Sequence, residues 1–335
     1  MSLINVPALY CPVPPQLCTY VETADALTTE WIDDFHLIAA QDYDRYLDQR
    51  FAWMAARFYP YATLERLTIL SQFFTLLFTI DDLLAGKDKY YLGKFIGQFM
   101  SVITENRYVR PGESQPVFAA LSDVWLRMAN VTTKAWRISF TQSLVKMYEA
   151  AQWEQANVRT GRKIRLQKYI EIRAFLAAAH IATDCIALAS DTIQLPPKAA
   201  DNPQLQTIIR LCQNTVCWAN DLFSLPKETL EGEYHNLVLV LQREFHITLD
   251  EAILQAAALH DKDVTDMIAL WSQVLIYDKQ TNDTLGAYIM ALFAIMRGNI
   301  DWSILETGRY YNFSYDGREL NKVFDRAPQH HTGIY

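Results

Sequence analysis

The sequence predicts an all-α fold, built as one helical domain over residues 21–320. Glycine and proline are scarce, with 11 and 12 among 335 residues, and no proline occurs from Val117 to Leu195 or from Lys227 to Arg326. These long stretches are rich in alanine, leucine, glutamine, glutamate and arginine, which favour helices. The alternation of β-branched residues between tight turns that is typical of strands is absent from the sequence. We therefore expect about ten or more helices.

The composition and charge exclude several functional classes. Hydrophobic residues make up 51% of the chain and charged residues 20%, which is typical of a globular protein with a sizeable core. The net charge of −8, without a basic run, does not suit nucleic acid or an anionic membrane. We expect neither as a partner, so a bound anion would need a few well-placed cations or a metal.

The N-terminal segment is predicted to be an extended arm over residues 1–20, because four prolines lie within Pro7–Pro15. Its first residues, MSLINVPALYCPVPP, lack the basic region and apolar core of a signal peptide. The five cysteines are odd in number and show no metal-site spacing, which favours buried thiols in a reducing compartment. We therefore expect a cytoplasmic protein. We also expect a C-terminal tail over residues 321–335.

The most apolar run is LTILSQFFTLLFTI, over Leu67–Ile80, and it predicts a buried core helix. It has 14 residues and includes serine, glutamine and threonine, whereas a helix needs about 20 apolar residues to span a membrane. Phe74 and Phe78 precede Asp81 by seven and three residues, which places them on its face of the helix. If Asp81 lies at the rim of a cavity, these two rings line the cavity wall.

Asp81 and Asp82 directly follow this run, and adjacent carboxylates at the end of a buried helix admit two interpretations. They mark the point where the helix emerges into water, or they form part of a functional site, because unpaired buried charge is costly. Asp88, seven residues after Asp81, could share its face unless Gly86 ends the helix first. Further along the chain, breaks between helices are expected near Arg110–Pro116, Pro196–Pro203 and Glu231–Tyr234.

The segment NDLFSLPKE, over Asn220–Glu228, places three oxygen-bearing side chains on one line of a helix. Asn220, Ser224 and Glu228 are four residues apart, so they form one stripe of amide, hydroxyl and carboxylate groups. Hard oxygen donors of this kind are the ligands of Mg²⁺, and a neighbouring lysine, Lys227, could meet a phosphate oxygen. A solvated helix face is the plainer interpretation. Pro226 should also bend this helix, because it removes one helical hydrogen bond.

Two further cationic positions are candidates for anion binding. Arg173 enters an apolar, alanine-rich stretch, where a buried guanidinium needs a partner unless it snorkels to solvent. Arg309 and Tyr310 follow Trp302 by seven and eight residues near the C-terminus. Viewed alone, this pair is better explained as a surface arginine and a core tyrosine.

Together these residues resemble the motifs of the bacterial class I terpene synthases, or terpene cyclases. In that family one helix carries an aspartate-rich motif, which would be Asp81 and Asp82 here. A later helix carries the pattern N-D-x-x-S-x-x-x-E, and NDLFSLPKE matches it at every fixed position. The resemblance extends over about residues 74–310 and includes the helix-loop-helix of the family, here Met147–Arg173.

The spacing of the motifs is also similar to that of the family. Arg173 precedes Asn220 by 47 residues, as the family's diphosphate-sensing arginine does by a little under fifty. Arg309 and Tyr310 follow Asn220 by 89 and 90 residues, in the range of the family's Arg-Tyr pair. Two departures stand out: Ala85 replaces a further acid of the first motif, and Leu176-Ala177 replace a small polar or acidic residue and a glycine after the sensor arginine.

The resemblance implies a class I terpenoid synthase-like helical bundle with a deep central apolar cavity and metals at its mouth. The implied reaction is ionisation of a prenyl diphosphate with Mg²⁺, with three ions expected and Mn²⁺ as a possible replacement, followed by cyclisation. The implied catalytic residues are Asp81, Arg173, Asn220, Ser224, Glu228, Arg309 and Tyr310. The implied metal ligands are Asp81, Asn220, Ser224 and Glu228, with Asp82 and Asp88 as further candidates. The implied diphosphate-binding residues are Arg173, Lys227, Arg309 and Tyr310, and the implied cavity wall is Phe74, Phe78 and Trp302.

The resemblance favours farnesyl diphosphate as the substrate and a sesquiterpene as the product. Geranylgeranyl diphosphate and a diterpene product remain open, as does a chain-elongating prenyl transferase, although that family normally carries two D-D-x-x-D motifs. A helical scaffold protein with solvated acidic faces is the non-enzymatic alternative. Either a monomer or a homodimer is compatible with the family.

Overall fold

The computed structural model describes residues 3–160, 163–232 and 234–320. A short 3₁₀ turn (Ala40–Asp42) precedes the second helix, and a π-helical turn (Trp302–Glu306) continues the last helix. The helices are α1 (Val21–Asp34), α2 (Tyr43–Gln49), α3 (Phe51–Phe58), α4 (Leu64–Leu84), α5 (Lys89–Thr104), α6 (Pro116–Asn130), α7 (Lys134–Thr160), α8 (Leu166–Leu176), α9 (Ala179–Asp184), α10 (Ile186–Ala189), α11 (Pro203–Glu231), α12 (Leu237–Phe245), α13 (Leu249–Val274) and α14 (Lys279–Asp301). The predicted all-α class is confirmed.

Two groups of packed helices form the core. One is centred on α11, which packs against α13, α14 and α9, and the other on α4, which packs against α3, α1 and α6. Helix α3 also packs against α14 and joins the two groups. Large aromatic side chains fill the interior, among them Trp125, Trp218 and Trp302. Burial of each large apolar side chain contributes about 1.5–3 kcal/mol, so this core is the main source of stability.

Helix α4 contains the apolar run and is a core helix, as predicted. It begins at the cap residue Thr63, whose hydroxyl accepts a hydrogen bond from the Arg66 backbone N–H, and it is longer than the run itself. Among the helices that the structure describes, α4 has the length and hydropathy to span a membrane, and the bent pair of segments Leu166–Leu176 and Ala179–Ala189 could do so as a broken span. However, 61% of the apolar window of α4 is buried against other helices of the protein.

Helix α11 carries the whole NDLFSLPKE segment. Asn202 caps its first turn through hydrogen bonds from the backbone N–H groups of Gln204 and Leu205, and Pro203 occupies the first position. The helix continues through Pro226 and ends before Gly232, whose φ of +74° suits a left-handed cap. The expected breaks are confirmed, since α6 and α11 begin at prolines and α11 ends at Glu231.

A small sheet joins the two ends of the described chain. Strand β1 (Ile4–Val6) pairs in parallel with β2 (Phe313–Tyr315), which pairs antiparallel with β3 (Arg318–Glu319). The sequence did not predict these strands, because two or three residues are too few to show a period. The division into an arm, a domain and a tail stays a prediction, and the tail over 321–335 lies outside the described residues.

The cysteines are free thiols, as expected. Four of them are buried and Cys11 is half-buried. Burial raises the pKa of the Cys11 thiol to about 11 and that of Cys217 to about 12. A pKa raised in this way keeps the two thiols protonated at neutral pH, and the thiol is a weaker nucleophile than the thiolate.

Candidate active site

One face of α11 presents the predicted stripe of oxygen donors. Asn220 and Glu228 are half-buried, and the Ser224 side chain is only 3% exposed. Within the described part of the chain, the Ser224 hydroxyl makes no hydrogen bond of ordinary geometry. A buried hydroxyl without such a partner is costly unless a ligand completes it.

Arg173 was expected to need a partner, and in the structure that partner is Asp221, the residue next to Asn220. Arg173 Nε donates to Asp221 Oδ1 over 2.9 Å, and Nη2 donates to Asp221 Oδ1 over 2.5 Å and to Asn220 Oδ1 over 2.9 Å. Both members of the ion pair are buried, with Asp221 fully so. Burial would lower the pKa of Arg173, but the Asp221 carboxylate raises it well above its ordinary value, so the guanidinium stays charged.

The other oxygen of Asp221 joins α11 to two further segments. Asp221 Oδ2 accepts hydrogen bonds from the Tyr169 hydroxyl at 2.6 Å and from the Leu237 backbone N–H at 2.8 Å. The Asn236 amide donates to the Asp221 carbonyl at 2.7 Å and to Glu228 Oε2 at 2.8 Å. Asp221 therefore fixes α8, α11 and the start of α12 relative to one another.

The surroundings of Glu228 disfavour the charged form of its carboxyl group. Burial, reinforced by the nearby Asp221 carboxylate, raises the pKa of Glu228 to about 7, although the charge of Arg173 and the hydrogen bond from Asn236 oppose the rise. A carboxylate in such a position gains from a bound cation, because the cation stabilises its charged form.

Tyr310 lies against the same face of α11. Asn220 Nδ2 donates to the Tyr310 hydroxyl over 2.6 Å, and the Tyr310 ring meets Trp302 edge-on with centroids 5.7 Å apart. The Tyr310 side chain is buried. Asn220 thus bonds to both Arg173 and Tyr310, two residues that lie far apart in sequence.

Arg309 faces the acidic pair at the end of α4. Its Nη2 atom lies 3.9 Å from Asp81 Oδ2 and 3.6 Å from Asp82 Oδ1, and its Nη1 donates to Gln49 Oε1 over 3.2 Å. The Asp81 side chain is 77% exposed, whereas that of Arg309 is 11% exposed. The acidic side chain therefore remains open to a ligand.

Aromatic rings lie below these charged groups. The Arg309 guanidinium lies 5.2 Å from the Phe78 ring centroid, and Phe78 stacks on Phe51 at 4.2 Å and lies 6.4 Å from Trp302. Phe74 lies one turn earlier on α4 and is buried. A pocket of about 240 Å³ adjoins the group, with Gln49, Phe51 and Asp82 among its lining residues. The deep central cavity expected from the sequence stays a prediction.

Two predicted site residues make contacts of a different kind. Asp88 caps α5, where its carboxylate accepts a hydrogen bond from the Tyr91 backbone N–H over 2.8 Å. Helix α4 has already ended at Leu84, as the position of Gly86 suggested. Lys227 Nζ lies 3.6 Å from Glu231 one turn further along α11. Roles for Asp88 and Lys227 in metal or diphosphate binding stay predictions.

The donor set fits a hard divalent cation. Carboxylate, amide and hydroxyl oxygens suit Mg²⁺-like ions, and the Ser224 hydroxyl is a buried oxygen that such an ion would complete. Among the residues that the structure describes, no group of three or more His, Cys, Asp or Glu side chains is arranged to hold a metal. A site here would therefore use Asn220 and Ser224 beside Glu228, with solvent or ligand oxygens as the remaining donors.

Several residues of this group were not predicted from the sequence. Four of them have no fixed spacing to a motif, because tertiary packing brings them to the site. They are Tyr169, Asn236, Gln49 and Phe51. Asp221 stood at a fixed position of the motif but had no assigned role. Asp221 is next to Asn220, and the sequence also contains Arg173, a cation in an apolar stretch that needs a partner. These two features together could have identified the ion pair.

A family model described as "Terpene synthase family 2, C-terminal metal binding" matches residues 72–266, more than half of the chain. Among curated relatives, a (+)-T-muurolol synthase that cyclises (2E,6E)-farnesyl diphosphate, from Roseiflexus castenholzii, is 28% identical over 89% of this chain and 92% of its own. A germacrene A synthase from Nostoc punctiforme is 26% identical over 93% of this chain and 97% of its own.

Solved structures show the same fold. A linalool/nerolidol synthase from Streptomyces clavuligerus superposes with a TM-score of 0.79 at 21% identity, covering 88% of this chain and all of that one. An α-eudesmol synthase superposes with a TM-score of 0.76 at 21% identity, covering 88% of this chain and 98% of that one. The family match and the fold agree with the motifs found in the sequence, and this chain belongs to the terpene synthase family as a class I enzyme with a metal-binding region.

Proposed function

We propose that this chain is a sesquiterpene cyclase, which ionises farnesyl diphosphate with Mg²⁺, cyclises the resulting cation and releases diphosphate. The relative from Roseiflexus castenholzii is named for farnesyl diphosphate cyclisation, and the other relatives with named products support the same reaction class. The observation that supports the proposal most is one cluster: Arg173 and Tyr310 bond to Asn220, and Arg309 faces Asp81 above aromatic rings.

The cationic residues are arranged to accept a diphosphate. Arg309 lies more than 3.5 Å from both acidic side chains, so these ion pairs are loose and easily exchanged for phosphate oxygens. Arg173 is held firmly by Asp221, and the Tyr310 hydroxyl is already aligned by Asn220. Charge-assisted bonds from such fixed donors stabilise the anion as the carbon–oxygen bond breaks.

The metal ligands proposed are Asp81 on α4 and Asn220, Ser224 and Glu228 on α11, with Asp82 and Asp88 as further candidates. Three Mg²⁺ ions are proposed with diphosphate bound, and Mn²⁺ could take their place. Bound ions of this kind supply Lewis acidity and a template for the departing diphosphate. Lys227 is proposed as a further diphosphate donor, through exchange of its contact with Glu231.

Apolar and aromatic walls would confine the cation. Phe78 and Trp302 lie directly below the charged cluster, with Phe74 one turn earlier on α4. Each aromatic face attracts a desolvated cation by about 2 kcal/mol. A closed apolar cavity beneath these rings would also keep water from the intermediate, which would otherwise be hydrolysed.

Other aspects of this proposal follow from composition and family. A net charge of −8 supports a protein without nucleic-acid or membrane partners, whose ligand is a small prenyl diphosphate. A cytoplasmic location is proposed from the free, buried thiols. We propose a monomer or a homodimer in solution.

Product analysis tests this function. The purified chain is incubated separately with geranyl, farnesyl and geranylgeranyl diphosphate, each with Mg²⁺ or with EDTA, and the extracts are examined by gas chromatography–mass spectrometry. We expect a Mg²⁺-dependent cyclic C15 product from farnesyl diphosphate. A cyclic C20 product alone would replace the sesquiterpene assignment with a diterpene synthase. Chain growth with added isopentenyl diphosphate would identify a prenyl transferase, and no diphosphate release at all would contradict the proposal.

A further inference from the structure

Asn236 contacts Glu228, one of the proposed metal ligands, and both polar atoms of its amide group form hydrogen bonds. It is fully buried, directly before α12. Its Oδ1 accepts a hydrogen bond from the Val238 backbone N–H over 2.9 Å and so caps α12. Its Nδ2 donates to the Asp221 carbonyl oxygen over 2.7 Å and to Glu228 Oε2 over 2.8 Å. Since both acceptors are oxygens, the orientation of the amide is fixed by its surroundings.

The two hydrogen bonds donated by Asn236 connect the Glu228 side chain to the backbone of α11. Glu228 has three rotatable side-chain bonds, and an unrestrained carboxylate would sample several directions. The Asp221 carbonyl belongs to α11 itself, and the Asp221 carboxylate already bonds to Arg173 and Tyr169. Through the Asn236 amide, the Glu228 carboxylate is therefore positioned relative to Asp221, the same residue that holds Arg173.

We infer that Asn236 is a positioning residue that holds the Glu228 carboxylate for metal binding. It binds Oε2, and we assign the other oxygen, Oε1, to the metal ion. A neutral amide suits this role because it orients the carboxylate without competing as a second cation. Residues that orient metal ligands in this way commonly tune the affinity of the site. The inference rests on the proposed function, since it assumes that Glu228 binds a metal.

A purely structural role as a helix cap predicts different behaviour, and one substitution separates the two. Asn236→Asp keeps the size of the side chain and a cap acceptor for α12, because aspartate is an equally good cap. It replaces the donating NH₂ group with an oxygen that faces the Asp221 carbonyl and Glu228 Oε2. Asn236→Ser is the second variant, since serine also caps a helix but cannot reach Glu228.

Asn202→Asp is the matched control. Asn202 also caps a helix, since its Oδ1 accepts hydrogen bonds from the N–H groups of Gln204 and Leu205. Its Nδ2 donates to the Tyr277 hydroxyl over 3.1 Å, and that hydroxyl can donate in return to a carboxylate. The control therefore makes the same chemical change at a cap that lies at the other end of α11.

The experiment measures Mg²⁺-dependent binding of inorganic diphosphate to the full chain by calorimetry, thermal unfolding without metal, and kcat and KM for farnesyl diphosphate. We expect Asn236→Asp to weaken Mg²⁺–diphosphate binding by roughly 10- to 100-fold, as is typical for loss of a ligand-orienting residue. Asn236→Ser should weaken it in the same direction, and Asn202→Asp should leave it within about twofold of wild type.

Each outcome decides the matter. Wild-type binding by Asn236→Asp, or equal effects in Asn236→Asp and Asn202→Asp, would overturn the inference while the proposed function stands. If Asn236→Asp does not fold, Asn236→Ser carries the comparison, and failure of both to fold would assign Asn236 to folding instead. Absence of both Mg²⁺–diphosphate binding and prenyl diphosphate turnover in the wild type would overturn the proposed function and the inference together.

Discussion

At the residue scale, the charge of Glu228 is central to the proposed chemistry. Glu228→Gln keeps the size and the hydrogen bond from Asn236 but removes the negative charge of a proposed metal ligand. We expect kcat/KM for farnesyl diphosphate to fall roughly 100-fold or more, because the charge that holds the cation is lost. Steady-state assays of diphosphate release at several Mg²⁺ concentrations check this.

Glu171→Gln is the control for that substitution, because Glu171 is 53% exposed and pairs with Lys168 on the surface of α8. It should leave turnover unchanged. Full activity of Glu228→Gln at limiting Mg²⁺ would remove Glu228 from the metal site.

The raised pKa of Glu228 predicts how stability depends on pH in the absence of metal. The pKa is 4.5 in the unfolded chain and about 7 in the folded protein, so the folded state binds more protons between these values. Stability should therefore fall as pH rises from 4.5 to 7, and this contribution should be absent in Glu228→Gln. Urea unfolding of both proteins at pH 5 and pH 7.5, with EDTA, measures the difference. A wild-type protein that matches the pH response of the variant would contradict the pKa shift.

Arg173→Lys tests the sensor role without leaving a buried carboxylate unpaired. Lysine keeps the charge beside Asp221 but cannot bond to Asp221 and Asn220 at once, as the guanidinium does. We expect kcat to fall at least about tenfold, with a stability loss of about 1–3 kcal/mol from the lost hydrogen bonds. Steady-state kinetics and urea unfolding check the two effects. An unchanged kcat with reduced stability would assign Arg173 a structural role.

The sequence predicted the common helix face of the proposed metal ligands better than the residues that hold those ligands in place. Asn220, Ser224 and Glu228 share a regular spacing on one helix, so their common face followed from the helical period alone. Asn236 and Gln49 reach the site only because α12 and α2 pack beside it. No local pattern encodes those contacts, so sequence reasoning could not find them.

At the scale of elements, α14 approaches α3 closely at Gly298. A Cβ atom added at Gly298 would lie 2.6 Å from the Arg57 carbonyl oxygen, which is backbone and cannot move aside. Gly298→Ala should therefore destabilise the protein by about 1–3 kcal/mol, despite the better helix propensity of alanine. Thermal and urea unfolding provide the measurement.

Gly286→Ala on the same helix is the matched control, because a Cβ atom there would meet nothing within 4 Å. It should be stabilising by about 0.5–1 kcal/mol. Equal effects of the two substitutions would contradict the close approach of α14 and α3.

The helices and the strands differed in how well the sequence predicted them. The breaks at Pro116 and Pro203 and the end of α11 before Gly232 follow from local backbone chemistry, so they were predicted well. Helix α4 is longer than its apolar run because its first turn begins at a capping threonine outside that run. The pairing of Ile4–Val6 with Phe313–Tyr315 joins the ends of the described chain, and only the folded bundle brings them together.

At the scale of the whole molecule, the helical core does not depend on the proposed metals. The interior is filled by apolar side chains from both helix groups, whereas the proposed metal ligands lie at one end of α4 and along α11. EDTA should therefore leave the helical circular dichroism and the unfolding temperature unchanged. Mg²⁺ with diphosphate should stabilise the fold by about 2.7 kcal/mol at 100 times Kd. Loss of helical structure on chelation would contradict this separation of core and site.

The central claim is that α4 and α11 present one diphosphate–metal site between them, and a crystal structure with Mg²⁺ and diphosphate tests it most directly. The account predicts ions about 2.0–2.1 Å from oxygens of Asn220, Ser224 and Glu228, which is the usual Mg²⁺–oxygen distance. It also predicts diphosphate oxygens within hydrogen-bond distance of Arg173 and Arg309. Diphosphate bound elsewhere, or ions that avoid the α11 stripe while Asn236 still holds Glu228, would contradict it.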